Sequence, residues 1–174
     1  MTVAVSTPSF TDSISVSDTD VTISGSASAS QTSAANGSTI SVNESAAADA
    51  DLSLCLGSTF VCTALDQGFT QFKAEFCIAS STHYSLTGSV QASANQDLGN
   101  ITAVGVVSIA TSGSMPTFIV NEQASNGQHV PISKSLSLSA GCYDINVEVF
   151  SDALPSGTGG GSASASCNVL LSPQ

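Results

Sequence analysis

Between Leu136 and Leu171 the chain carries a period of two on either side of a turn, and this stretch organises the rest. Tyr143, Ile145, Val147 and Val149 alternate with Asp144, Asn146, Glu148 and Phe150. Such spacing is that of a strand with one buried and one wetted face. A Pro-Ser-Gly turn and a glycine-rich connection follow over 151–161. Ala163, Ala165, Cys167 and Val169 then share one face of a second strand. The two segments are expected to form an antiparallel hairpin that closes a β-domain.

The same alternation recurs upstream. Ile14 and Val16 alternate with polar neighbours, and VTISGSASAS continues the strand pattern. Gln31 to Ser38 reads as a turn region containing Asn-Gly. Thr39 to Glu44 and Asp51 to Gly57 read as short strands, separated by an alanine run over 45–50 that would fit one helical turn. Phe60 to Leu65 is a further short segment. In FTQFKAEFCIAS, Phe69, Phe72 and Phe76 stand at helical spacing. Phe72, Ala74, Phe76 and Ile78 also alternate, and the aromatic and β-branched surroundings favour a strand. Tyr84, Leu86, Gly88, Val90 and Ala92 share one face of a strand over 83–94. Ile101 to Thr111 is apolar on both faces, as a central strand is. Segments 117–121 and 132–138 complete the set. About nine to eleven short strands, with turn signals every eight to twelve residues, predict an all-β, two-sheet antiparallel sandwich of jelly-roll type. The 174 residues suit one domain, 1–174.

Charge narrows the function. Lys73 and Lys134 are the only Lys or Arg against thirteen acids, a formal net charge of -11. Binding a phosphate backbone needs clustered Lys or Arg, so nucleic acid and anionic membrane surfaces are excluded as partners. Charged residues make up 9%, against roughly 25% in ordinary domains. Hydroxyls solvate the strands instead, which suits an extracellular setting of variable salt. Residues 1–5 do not read as a signal peptide, and the apolar run 101–110 is too short and interrupted to span a bilayer. These features fit either a cytosolic chain or a mature piece whose targeting ends have been removed.

Five cysteines favour the second option. Cys55 and Cys62 bracket LGSTFV, a spacing that suits a small disulfide loop. Cys142 and Cys167 would staple the terminal hairpin, although their face parity does not match cleanly; Cys77 is then left over. No CxxC occurs and the two histidines are distant, which argues against zinc.

Candidate chemistry is sparse. His83 and His129 are the only general-base candidates near neutral pH, and no G-x-S-x-G occurs. The pairs Asp18/Asp20 and Asp49/Asp51 could offer hard oxygens to Ca²⁺ beside turns; solvated loop acids are the plainer reading. With no Trp and two Tyr, the usual aromatic platforms for sugars are missing. The triplets at Asn36, Asn43 and Asn100 are sequon-shaped, a frequent accident in a Ser/Thr-rich chain.

Two small-residue segments, SGSASAS over 24–30 and GSASAS over 161–166, read as edge strands with weakly specified register. Ser24, Ala27, Ala29, Ala163 and Ala165 would there receive a strand from a neighbour. Thr2, Val3 and Val5, in the segment 1–10, would supply it.

Three stretches carry a resemblance: AEFCIASSTHYSLTGSVQASA (Ala74 to Ala94), LSLSAGCYDINVEVFSDA and GGGSASASCNVLLSP. They resemble exported bacterial proteins that carry a PEP-CTERM sorting signal, over Ala74 to Pro173. In that family an anchoring tail beginning Pro-Glu-Pro would follow near Ser172-Pro173-Gln174. The resemblance implies sorting to the surface or release into an exopolysaccharide matrix. The expected function is a non-enzymatic extracellular structural or matrix protein that self-assembles through edge strands, with no cofactor. The alternative is a secreted carbohydrate-binding module, Ca²⁺-dependent or not.

Overall fold

The computed structural model describes residues 10–19, 24–52, 65–96, 99–155 and 159–174. Within them the chain forms ten strands: β1 (Phe10–Thr19), β2 (Ser24–Asn36), β3 (Thr39–Asp51), β4 (Asp66–Ile78), β5 (Thr82–Gln96), β6 (Gly99–Thr111), β7 (Phe118–Ser125), β8 (Gln128–Leu138), β9 (Gly141–Pro155) and β10 (Gly160–Pro173). They make a six-stranded sheet of order β1-β2-β3-β10-β5-β8 and a four-stranded sheet of order β4-β9-β6-β7. Every pairing is antiparallel.

From β3 onward the path crosses between the sheets at every step except β6 to β7, which stay together. That wrapping sets β3-β10-β5-β8 against β4-β9-β6-β7, the two interlocked Greek keys of a jelly roll. The β1–β2 pair extends the larger sheet beyond this core. The turn between β2 and β3 is tight, with Gly37 at φ 63° supplying the left-handed conformation.

The expected terminal hairpin does not form. β9 pairs with β4 and β6, and β10 pairs with β3 and β5, so the two face one another across the sandwich. Both carry the alternation seen in the sequence; period two marks a buried face without saying whether the neighbour lies beside it or opposite it. The alanine run 45–50 is not helical but lies inside β3, where Ala46, Ala48 and Ala50 are buried. Gln31 to Asn36 belongs to β2, so the turn is shorter than expected. Over 66–78 the strand reading prevails over the helical spacing of the phenylalanines.

The core is a wedge. At its thick end Phe76 stacks on Tyr143 with ring centroids 5.6 Å apart and contacts Tyr84 at 6.2 Å. The Tyr143 hydroxyl donates to the Ser139 carbonyl at 2.8 Å, so this buried phenol is satisfied. Leu86, Leu138, Leu171, Ile109 and Ile145 fill the middle. At the thin end, Gly68 of β4 packs against the backbones of β2 and β3 and the Ser151 side chain of β9. A Cβ at Gly68 would stand 2.7 Å from the Ser28 carbonyl oxygen and 2.9 Å from that of Ala47. Glycine is what lets the two backbones approach so closely.

Candidate functional site

The Ser-Ala segments are not edges. SGSASAS lies between β1 and β3, and GSASAS lies between β3 and β5. Register rows run straight across: Ala29 opposite Ala46, then Ala165, then Ala92; Ala27 opposite Ala48, then Ala163, then Ala94. Ser24, Ala27, Ala29, Ala163 and Ala165 therefore have partner strands on both sides and cannot accept another. Small residues here serve close sheet-to-sheet packing, a use of Ala and Ser that sequence alone does not separate from an exposed edge. Thr2, Val3 and Val5 fall outside the described residues.

Among the described residues, the edges are β1 and β8 in one sheet, β4 and β7 in the other. Three carry protection. β4 and β8 hold Lys73 and Lys134, the only Lys or Arg in the chain, both exposed. Lys134 also pairs with Glu122 at 2.6 Å, and the exposed Pro131 removes one backbone donor from β8. β7 is only eight residues long, and its pairing with β6 shifts register at Ile109/Ala110. A bulge, a proline, brevity and lysine are the devices that keep sheet edges from pairing. β1 runs for ten residues, FTDSISVSDT, without lysine, proline or a register shift, and its only charges are Asp12 and Asp18.

The cysteine pairing also differs from expectation. Cys77 and Cys142 are register partners on β4 and β9 and form a disulfide across 65 residues of chain. Since Tyr143 points inward, Cys142 points outward, whereas Cys167 is buried on the inner face of the opposite sheet. The sandwich core thus separates Cys142 from Cys167, and it is Cys167 rather than Cys77 that stays a free thiol. Cys55 and Cys62 lie outside the described residues.

Asp49 and Asp51 lie on β3 rather than in a loop, with Asp49 exposed on the outer face. Asp18 is on β1 opposite Gly25, and Asp20 lies outside the described residues. The one grouping of potential metal ligands among the described residues is Glu75 with Cys77 and Cys142, and the disulfide removes both thiolates from it. His83 sits exposed on the outer face of β5 with Nδ1 3.1 Å from the Ser137 hydroxyl, while His129 is exposed on β8. That serine-histidine contact lies on an open sheet face.

Sequence reasoning missed a polar cluster inside the sandwich. Gln31, Glu44 and Cys167 form one register row across β2, β3 and β10, all on the inner face. Thr70 of β4 meets this row from the opposite sheet, and its hydroxyl donates to Gln31 Oε1 at 3.2 Å. Glu44 is 1% exposed, and neither carboxyl oxygen has a hydrogen-bond partner. Burial first, and the charge of Glu148 second, push its pKa up to about 8, with the Thr70 hydroxyl acting in the opposite sense as the smallest of the three influences. Burial likewise lifts Cys167 to about 12, aided by Glu44, and its thiol donates to the Val106 carbonyl at 3.9 Å. Both groups are therefore neutral at pH 7. The signal was present in ISVNESAAADA, where Glu44 occupies the phase otherwise held by Ile40, Val42, Ala46, Ala48 and Ala50.

No protein-family model and no curated protein sequence matches the chain.

Proposed function

We propose that this protein is a non-enzymatic structural component of the cell surface or extracellular matrix that joins copies of itself by strand addition at β1. The observation that carries this reading is the distribution of edge protection. Among the described residues, both lysines, the edge proline and the short bulged strand guard three of the four edges, whereas the ten-residue β1 carries only Asp12 and Asp18 and has no partner on its outer side. An unguarded edge offers a row of backbone donors and acceptors to another chain. Residues 1–9 of a neighbouring copy are the strand we assign to it. A cross-strand disulfide, 9% charged residues and the resemblance of Ala74 to Pro173 to PEP-CTERM-sorted proteins support an exported location.

Light scattering and negative-stain imaging of the purified chain test it. Head-to-tail donation generates an open filament, whereas β1 pairing with its own copy would stop at a dimer. Filaments that vanish on deleting residues 1–9, or with Ser15→Lys at the exposed Ser15, support the reading. A monomer at high concentration overturns it.

A second reading, a secreted carbohydrate-binding module, draws on the outer face of the larger sheet. A shallow hollow of about 250 Å³ there is lined by Ser26, Ser28, Asp49, Ser93, Ser162 and Ser164. Its polar groups match sugar hydroxyls, without an aromatic platform. Saturable binding on a glycan array, lost with Asp49→Ala, would favour it over the structural role.

A further inference from the structure

We propose that Thr70 and Gln31 become joined by an intramolecular ester, Thr70 Oγ1 attacking the side-chain amide carbon of Gln31 with loss of ammonia. The bond would cross the sandwich from β4 to β2 and close 39 residues of chain.

The reactants are already in contact. The Thr70 hydroxyl donates to Gln31 Oε1 at 3.2 Å, so the nucleophilic oxygen lies beside the carbonyl it would attack. Both side chains occupy inner faces, and Gly68, two residues away, brings β4 close to the backbones of β2 and β3. Holding two groups in this manner replaces a bimolecular encounter by an effective concentration far above any in solution. An amide is otherwise a poor acyl donor to an alcohol.

Glu44 is the proton relay we assign to this reaction. Glu44 stands directly opposite Gln31 in register, fully buried, with both oxygens unpartnered. As a neutral acid it has one oxygen able to accept and one hydroxyl able to donate. The Thr70 hydroxyl, which in the folded chain donates to Gln31 Oε1, must first turn to a Glu44 oxygen, and that oxygen then takes its proton as the C–O bond forms. The Glu44 hydroxyl gives its own proton to the amide nitrogen as the C–N bond breaks. Ammonia departs carrying the Thr70 proton in net balance, and Glu44 ends as it began; no oxidant, metal or cofactor enters. A buried carboxyl without a hydrogen bond costs stability, and this chemistry gives it a purpose. Cys167, the other nucleophile in the row, is turned toward Val106 and held as a thiol. Burial of Thr70 limits the water that would hydrolyse the ester.

The experiment is mass spectrometry of the whole chain, reduced and denatured after storage in the folded state. The expected mass is one ammonia below that of the sequence, with a branched peptide joining the Gln31 and Thr70 segments that hydroxylamine separates. Thr70→Ser should retain the bond, whereas Thr70→Val and Glu44→Gln should restore the full mass. Succinimide formation at Asn36-Gly37 also releases ammonia, but it gives no branched peptide and survives Thr70→Val. Full mass in the wild type, or an ammonia deficit without the branched peptide, overturns the proposal. Because the wild-type peptide map decides alone, a variant that fails to fold does not spoil the test.

Discussion

Burying Glu44 should make the fold weaken as pH rises, and the size of the effect follows from its position. In the unfolded chain this carboxyl titrates near the ordinary value of 4.5; in the folded core it holds its proton to about pH 8. Between those values the folded state binds more protons than the unfolded one, so stability declines with pH. The contribution is fully present below pH 4.5 and is lost progressively as pH approaches 8. At about 1.4 kcal/mol per pH unit, the whole interval corresponds to about 5 kcal/mol. The groups facing Glu44 are Gln31, Thr70 and Cys167, with Glu148 acting from the other sheet. None of the first three changes charge in this window, and the Glu148 carboxylate reinforces the preference for the neutral acid. The assay is urea unfolding followed by circular dichroism, comparing Thr70→Val with Thr70→Val/Glu44→Gln so that no ester contributes. Glutamine keeps the shape of the protonated acid and cannot ionise. The difference in unfolding free energy between the two variants should therefore grow across the interval, with the glutamine variant the more stable at alkaline pH. Parallel profiles would refute the argument, since they would mean that Glu44 ionises in the fold without cost.

Other perturbations have definite expected results. Reducing Cys77–Cys142 should lower stability by about 4 kcal/mol on loop-closure grounds, as seen by denaturant unfolding with and without reductant; the pair spans 65 residues. Gly68→Ala should cost on the order of 1–3 kcal/mol through overpacking, because its new methyl would lie 2.7 Å from the Ser28 carbonyl oxygen, and thermal unfolding would register the loss. Phe76→Ala removes the ring shared by Tyr84 and Tyr143 and should cost about 3–5 kcal/mol, measured by urea titration. Lys134→Ala should change monomer stability by less than about 1 kcal/mol, since the Glu122 pair is partly exposed, yet it should raise the tendency of β8 to pair with other chains, measured by light scattering.

Much of the architecture was legible because burial in a sandwich repeats every second residue. Tyr143 to Val149 and Tyr84 to Ala92 show the inner faces of β9 and β5 directly, and the doubly apolar Ile101 to Thr111 announces an interior strand. Sheet membership was not legible. The pattern of β9 is the same whether β10 lies beside it or opposite it, so the cysteine pairing inferred from a hairpin failed with the hairpin. The alanine run in β3 has helical propensity, but its neighbours on β2 and β10 are equally small and together form a thin layer that only strands can supply. The Gln31–Thr70 contact joins residues 39 apart through the approach of two sheets, and no local pattern encodes it. Glu44 alone left a local trace, as an acid on an apolar phase.

The open edge and the buried cluster bear on the same mechanical weakness. β1 and β2 lie beyond the jelly-roll core and are held to it by backbone pairing with β3 and by packing of β2 on β4. A neighbour pulling on β1 would load that pairing first, and antiparallel ladders peeled from one end open a few bonds at a time. An ester from Gln31 to Thr70 would carry the load to β4 before β2 could leave β3. β4 is in turn tied to β9 by Cys77–Cys142. The two links therefore meet on one strand and form a covalent path from the edge sheet into the centre of the opposite sheet, bypassing hydrogen bonds at each crossing. A sandwich that presents one adhesive edge to its neighbours would have its reinforcement on that side, and β4 is where both links lie.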